Sequence, residues 1–553
     1  MSAKARGPAA SRRGKTSPLP AVTESGIAVK NLYTPADLRQ QGFSYRRHLG
    51  DPGRFPYTRG TRDRLDREKP FNLRQYVGFG TVKESNRLFR YLVAQGQNVL
   101  SVAYDLPTQL GYDSDHPRVQ GVVGTIGIPC CSLADWEGIF AGIDLQEIKV
   151  NSVCNAQSVV ALAWHLVAAQ RRGLAPQDIR GVVQNDILKE YMARGTYIFP
   201  PDPSLRLTID VLEYAARHMP MYTPLYICGY HIREAGSDAV QEVAFSLASG
   251  IAYLEAALKR GLTVDQVAPR IHCLMTGRHR DFLEEVAKFR ALRRLWARTM
   301  RERFGAKNPA AQKLYVMQYE GGVGFTAEQK EINIARSAIA AVAGALGGVH
   351  DMGLCTMDEA LGIPSEKSLT LALRTCQVVA HETGISNTMD PLAGSYCIEW
   401  LTNEIESRAG VYLEKIDSLG GMLEAVKKGY PQRQIADTAF RHHKEENEGS
   451  RVVVGRNRYQ DGQPVEERSL YQQDPKILET QIKRLKRLRQ KRSSRKVSKA
   501  LEQIRRLAQS RQQGGDYNLV PAVVEAVKAY ATVGEICGVL REEFGEHRED
   551  VYY

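Results

Sequence analysis

RGVVQNDILKEYMARGTYIFPPDPSLRLTIDVLEYAARHMPMYTPLYICGYH, residues 180–231, contains two short apolar runs, RGVVQ and PLYICGYH, each closing on polar side chains. In a parallel barrel the C-terminal ends of the strands face a shared mouth, so polar residues at such ends converge there. Gln184 ends the first run and His231 the second, while Arg194 follows the first in a loop or short helix. A fixed cation, an amide and a titratable imidazole at one mouth can hold a carboxylated acyl thioester.

Outward from this stretch the same alternation repeats. NVLSVAYDL, GVVGTIGIP, IKVNSV, RGVVQ, PLYICGYH, RIHCLM, KLYVMQ and HDMGLCT form eight strand-like runs, separated by amphipathic stretches such as SVVALAWHLVAAQRR and DFLEEVAKFRALRRLWARTM. Strands alternating with helices predict a (β/α)8 TIM-type barrel, with an open doubly wound sheet as the alternative. The organisation expected is a basic leader over 1–29, an extended cationic arm over 30–80, the barrel over 81–410 and a helical C-terminal region over 411–553. The leader is Pro/Ser-rich without an apolar signal core; it reads as a flexible segment, or alternatively as an organelle-targeting peptide.

A chain of 553 residues with 43% hydrophobic content buries more than one small core. Its net charge of +13 suits an anionic partner without naming one. Nine cysteines without CxxC spacing point to neither a disulfide framework nor a zinc knuckle, and to a reducing cytoplasm. No apolar run approaches the roughly 20 residues that cross a bilayer. Near the C-terminus, QIKRLKRLRQKRSSRKVSKALEQIRRLAQSR keeps Ile482, Leu485, Leu488, Ile504 and Leu507 at helical spacing within a basic surface. A solvated face or a dock for an acidic partner explains it; nucleic acid does not, because no aromatic platform interleaves the charges.

Taken singly, Arg194 reads as a surface arginine, His231 as a structural histidine and Tyr76 as a core aromatic. Together Arg194 and His231 carry chemistry: a guanidinium fork grips a carboxylate at all working pH values, and an imidazole donates a proton or hydrogen bond to a thioester oxygen. Tyr76 can wedge between a substrate and a second cofactor. The glycine-rich pieces GGVGFT and GALGGVHDMG lack phosphate-loop spacing, and GxSxG and HExxH are absent, which speaks against ordinary hydrolases.

PYTRG, LRQYVGFGTVKESN, GYDSDHPRV, QNDILKEYMARGTYIFPP, GYHIREAG, AKFRALRRLWA and MDEALGIP occur in order from about residue 30 onward. Together they resemble the large subunit of methylmalonyl-CoA mutase and related acyl-CoA mutases. The resemblance implies a barrel threaded along its axis by the pantetheine arm of coenzyme A and capped by adenosylcobalamin. It further implies that Tyr76 is the wedge, Arg194 the carboxylate clamp, His231 the thioester partner and Gln184 a substrate amide. By the same resemblance Asn72 and Arg74 take positions along the coenzyme A arm of the substrate, Arg270 and His272 also contact the substrate, and Gln318 and Glu359 contact the cofactor. In the family a deoxyadenosyl radical takes a hydrogen and the thioester group shifts to the neighbouring carbon, while the protein holds and shields the reacting groups.

No DxHxxG string, the family's cobalamin signature, is present. A separate cobalamin-binding small subunit is therefore expected, in a heterodimer or heterotetramer, with the basic C-terminal helices as its contact. Against the methylmalonyl branch, TRDRLDREKPFN replaces an aromatic arm, and Asn151, Val182, His272 and Cys355 occupy hydroxyl or asparagine positions. Tyr76 with Arg194 resembles the malonyl-type pair; the isobutyryl branch resembles Phe with Gln, and the hydroxyisobutyryl branch an aliphatic wedge with an added Asp at the position of Ala103. A methylmalonyl-CoA-type mutase is the expectation, with a mutase of bulkier alkyl- or arylmalonyl-CoA, of isobutyryl- or 2-hydroxyisobutyryl-CoA, or a silent scaffold as rivals.

Overall fold

The computed structural model describes residues 21–548 except 65, 464, 466–475, 511 and 513. Most of the leader read at 1–29 lies outside the described residues. Eight parallel strands close on themselves: β1 (Asn72–Val77), β2 (Val99–Ala103), β3 (Lys149–Val153), β4 (Gly181–Val183), β5 in two pieces (Tyr222–Thr223 and Leu225–Cys228), β6 (Ile271–Gly277), β7 (Tyr315–Glu320) and β8 (Asp351–Gly353). Pro224 splits β5 because it has no N–H to give the ladder. The first piece pairs with β4 and the second with β6, and the Tyr226 N–H donates to the Gln184 carbonyl at 2.9 Å. The ring is thereby closed, and the doubly wound alternative falls.

Two strand assignments change places. GVVGTIGIP forms no strand; turns occupy most of it, and only Ile128 bridges to Tyr104. Its three glycines all sit at positive φ, which a strand does not accommodate. The missing strand is Asn72–Val77, read as part of the arm, whose alternating polar residues Asn72, Arg74 and Tyr76 hide the apolar pattern of a strand. The boundary expected at residue 410 falls inside the helix Tyr396–Ser418.

The basic C-terminal run forms two helices, Lys476–Lys491 and Ser494–Gln509, interrupted at Arg492–Ser493. The second buries Val497 and Ile504 and packs on the helix Leu519–Lys528, which in turn packs on the barrel helix Ser158–Arg171. Much of the positive charge is spent inside the chain: Arg484 pairs with Asp135 at 3.0 Å and Arg489 with Asp113 at 2.7 Å, and Arg492 pairs with Glu535. Among the described residues no helix is long and apolar enough to cross a membrane.

The barrel axis is filled rather than open. Asp351, fully buried, forms an ion pair with Arg74 Nη2 at 3.1 Å and accepts hydrogen bonds from Asn72 Nδ2 at 2.7 Å and the Tyr315 hydroxyl. His272 stacks on Tyr315 with centroids 4.4 Å apart and meets the ring of Tyr226 at 5.3 Å. Val182, Tyr226, Cys228, Leu274 and Met317 complete the packing. The axial tunnel implied by the resemblance is thus occupied by side chains, as in the packed interiors of most such barrels.

Candidate functional site

Above this filled layer, in the C-terminal half of the barrel, lies a cavity of about 480 Å³. Arg74, Ser101, Asn151, Leu274 and Met317 form its floor, and Tyr76, Gln184, His231, Tyr230, Tyr319 and Glu359 line its upper wall. Local backbone geometry builds that wall. At the end of β1 the chain turns at Gly78, φ +151°, where a Cβ would lie 2.6 Å from Ile128 Cγ1 and 2.8 Å from the Ala103 carbonyl oxygen. Only glycine lets the 121–128 loop come this close.

After β4, Gln184 N–H donates to Ser152 O at 3.0 Å, and Asn185 turns the chain at φ +56°. The left-handed turn suits asparagine, whose Nδ2 donates at 3.0 Å to the carbonyls of Thr208 and Pro224. The π-turn Glu190–Arg194 follows and is closed by Gly195 at φ +81°. It projects Arg194 with its Nη1 donating to Thr196 Oγ1 at 2.6 Å and to Glu190 Oε1 at 3.2 Å. Glu190 is fully buried and also pairs with Lys189. Desolvation would raise its pKa, but Lys189 and Arg194 hold its carboxyl down to about 2.

His231 lies in the first turn of the helix Gly229–Glu234, its Nδ1 3.3 Å from Cys228 Sγ. Burial, then the charges of Lys189 and Arg194, push the imidazole well below its usual pKa, so it is neutral at pH 7. At the rim, desolvation raises the pKa of the Tyr76 hydroxyl against the opposing charge of Arg194; the residue is 37% exposed. Glu359 stands at the same rim. Desolvation by the cavity wall, then the neighbouring carboxylates Asp358 and Glu234, raise its carboxyl to about 7.

The structure thus gathers Tyr76, Gln184, His231, Arg74 and Glu359 around one cavity, with Arg194 beside them. It does not gather the rest. Asn72 and His272 belong to the filled layer beneath the floor, and Arg270, just before β6, donates to the carbonyls of Met219 and Pro220 outside the barrel. Gln318 points away from the axis: its Nε2 donates to Ala340 O at 3.0 Å, and its amide lies against Gly277 and Gly344. Strand alternation is the reason, since Met317 and Tyr319 face the cavity and residue 318 must face the helix outside.

Tyr230 and Tyr319, edge to face at 5.9 Å, are wall residues the sequence reading missed. The period-two series Tyr315, Met317, Tyr319 was the signal. Of the departures noted in the sequence, Asn151 donates from the floor to Ser101 Oγ at 3.1 Å, Ala103 lines the wall, Val182 packs in the filled layer, and Cys355 donates to Glu320 O at 3.1 Å.

The methylmalonyl-CoA mutase family profile matches residues 22–546. The 2-hydroxyisobutanoyl-CoA mutase large subunit of Aquincola tertiaricarbonis is 39% identical over 527 residues, covering 95% of this chain and 92% of its own. The methylmalonyl-CoA mutase of Rhizobium meliloti is 40% identical over 529 residues, 95% of this chain and 72% of its own. The mitochondrial methylmalonyl-CoA mutase of Homo sapiens is 38% identical over 526 residues, 95% of this chain and 69% of its own. The chain therefore belongs to the methylmalonyl-CoA mutase family and is an isomerase of the intramolecular-transfer class.

Proposed function

We propose that this chain is the catalytic large subunit of an adenosylcobalamin-dependent mutase that interconverts a branched, carboxylated acyl thioester of methylmalonyl type with its linear succinyl-type isomer. The observation that carries this reading is Arg194, fixed through Nη1 by Glu190 and Thr196 beside the cavity that holds His231 and Tyr76. The remainder of the guanidinium fork would take the substrate carboxylate. Cys228, whose thiol burial pushes up to about 12, stays protonated. It can donate to His231 Nδ1, leaving the Nε2–H to donate to a thioester oxygen. Being neutral, His231 acts as a hydrogen-bond donor and not as an imidazolium acid.

The mutases of this family depend on cobalamin, and the mouth suits a broad cofactor. A Cβ at Gly322 would lie 3.1 Å from Glu359 Cγ, so glycine keeps that wall shallow, and Ile126 and Val323 are exposed apolar side chains. Tyr76 and Glu359 are the residues that would meet the adenosyl end. When bound, adenosylcobalamin supplies the radical that starts the rearrangement. The protein's part is to orient the acyl group with Arg194 and His231 and to exclude water with the rings of Tyr76, Tyr230 and Tyr319.

A separate cobalamin-binding small subunit fits the naming of the Aquincola relative as a large subunit. Nine free cysteines fit a reducing cytoplasm. A hydroxyacyl substrate is the weaker reading, because Ala103 offers the cavity wall no partner for a hydroxyl. The test is reconstitution with adenosylcobalamin and a candidate small subunit, followed by a panel of methyl-, ethyl- and phenylmalonyl-CoA, isobutyryl-CoA and 2-hydroxyisobutyryl-CoA. Isomerisation of malonyl-type thioesters is expected; turnover confined to the monocarboxylic ones, or none at all, would sink the reading.

A further inference from the structure

We infer that Glu24, in the turn of the N-terminal hairpin, is a positioning residue for the reaction: it holds the helix Gly229–Glu234, and with it His231, in place against the cavity. This rests on the mutase reading above. The helix has only six residues. So short a helix makes few internal hydrogen bonds and takes its place from what it packs against. Tyr230 and His231 line the cavity, whereas Arg233, two residues beyond His231, lies about 200° further round the helix and is 0% exposed. Whatever grips Arg233 therefore sets where the imidazole stands.

Glu24 is that grip. It turns the chain between Ala21–Val22 and Ala28–Val29 and is 3% exposed. Arg233 Nη2 donates to its Oε2 at 2.6 Å, Arg451 Nη1 donates to its Oε1, and Arg280 lies 3.7 Å away. Desolvation would raise its pKa, but the charges of Arg233, Arg278, Arg451 and Arg280 hold the carboxyl well below its usual range. Its backbone is pinned as well: the N–H donates to Asp281 Oδ2 at 2.7 Å and the carbonyl accepts from Arg441 Nη2 at 3.2 Å. Arg233 has no equal alternative. Its Nε is buried without a partner, its Nη1 is taken by Ser237 O at 3.1 Å, and Glu285, 3.4 Å away, is shared with Lys288.

The same carboxylate reaches the mouth by a second route. Arg451 opens the segment whose Val454 carbonyl accepts from Arg336 Nη2 at 2.8 Å, and Arg336 Nη1 donates to Thr326 Oγ1 at 2.9 Å. The loop before Thr326 contains Val323, whose N–H donates to Glu234 Oε2 at 3.0 Å. Glu234 ends the His231 helix, so the helix is held from behind through Arg233 and from the mouth through Glu234, with Glu24 at the root of both. A buried ion pair is a poor source of stability, since apolar residues of like volume often do as well. What it supplies here is one fixed position, through a guanidinium fork meeting a carboxylate. Arg194 hangs on another segment, fixed by Glu190 and Thr196, and its hold on the substrate carboxylate is independent of Glu24.

The experiment has two arms. On the full chain alone, hydrogen–deuterium exchange is compared between the parent and Glu24→Gln; exchange about tenfold faster is expected over 232–237, with the strand 271–277 unchanged. In the reconstituted enzyme with methylmalonyl-CoA, Glu24→Gln is expected to lower kcat by about 10- to 100-fold, the effect of a small misplacement, with KM within about threefold. Placed on His231→Ala, the same substitution should change kcat by less than about twofold, because the group it positions is gone. Should Glu24→Gln fail to fold, Glu24→Asp, which keeps the charge one methylene short of the arginines, carries both arms. Unchanged kcat, an equal loss with and without His231, or exchange raised equally across the barrel overturns the inference. Failure to turn over any thioester would instead sink the mutase reading, and the exchange pattern still decides whether Glu24 holds the helix.

Discussion

Arg194 is held by its own chain before a substrate arrives: Glu190 Oε1 at 3.2 Å and Thr196 Oγ1 at 2.6 Å engage one nitrogen. Glu190 remains a carboxylate at any working pH, because Lys189 and Arg194 keep its carboxyl near 2 despite burial. A second carboxylate on the free part of the fork therefore meets a pre-oriented cation. Arg194→Gln should weaken transition-state binding of dicarboxylic thioesters by about 2–5 kcal/mol, the cost of removing one partner of a desolvated charge pair, and leave monocarboxylic ones nearly unchanged; kcat/KM across the substrate panel measures this. Equal losses for both classes would remove the clamp from the argument. Glu359 gives a pH signature. With its carboxyl near 7 it is largely protonated at pH 6 and ionised at pH 8, and only the carboxylate makes charge-assisted bonds to ribose hydroxyls. Adenosylcobalamin affinity in the complex should rise between those pH values, and Glu359→Gln should flatten the rise.

Strands and helices show where the sequence was readable and where it was not. Barrel class followed from alternating apolar runs, because strands buried on both faces are uniformly apolar and stand out, as β2 and β5 do. β1 did not stand out: its inward positions carry Asn72, Arg74 and Tyr76, polar groups that only their partners on distant strands make tolerable. The closure of the axis was illegible for the same reason, since Arg74 and Asp351 are 277 positions apart in a chain read one segment at a time. Gln318 was misread through its strand's register. Gln318→Ala should cost about 1 kcal/mol for the lost bond to Ala340 O, measured by denaturant unfolding, and leave kcat/KM unchanged, whereas a cofactor contact would lose activity. The N-terminal hairpin, Ala21–Val22 with Ala28–Val29, docks on the barrel helix Phe282–Arg298 through Thr23 Oγ1, which donates to Glu284 Oε1 at 2.6 Å. Desolvation raises the Glu284 carboxyl from 4.5 to about 8. Below pH 4.5 both folded and unfolded chains hold this proton; as pH rises towards 8 the unfolded chain releases it and the fold does not, so stability is lost across that window. Glu284→Gln should therefore raise Tm relative to the parent protein at pH 8, and little at pH 5.

At the scale of the whole molecule, the proposed small subunit needs a surface to dock on. The basic C-terminal helices are the contact that the sequence suggests. In the folded chain Arg484, Arg489 and Arg492 are bound to Asp135, Asp113 and Glu535, and Arg505 to Glu543 at 2.7 Å, so these helices act largely as a brace against the barrel's flank. The C-terminal mouth has the opposite character. Leu106, Val122, Ile126 and Val323 are exposed there at 44%, 41%, 73% and 60%, around an opening whose contents must be kept from water. An apolar rim around a reactive cavity is the surface a cap can bury with gain, whereas exposed lysines and arginines yield little per contact in salt. Ile126→Asp should accordingly weaken association with the small subunit by about tenfold or more, because a carboxylate would be desolvated at the centre of the interface. Arg487→Glu, on the outer face of the basic helices, should change it by less than about threefold. Titration of the two variants by calorimetry or by the cofactor's absorbance separates the surfaces. The reverse ranking would return the partner to the basic helices and leave the mouth to be closed by the substrate and cofactor alone.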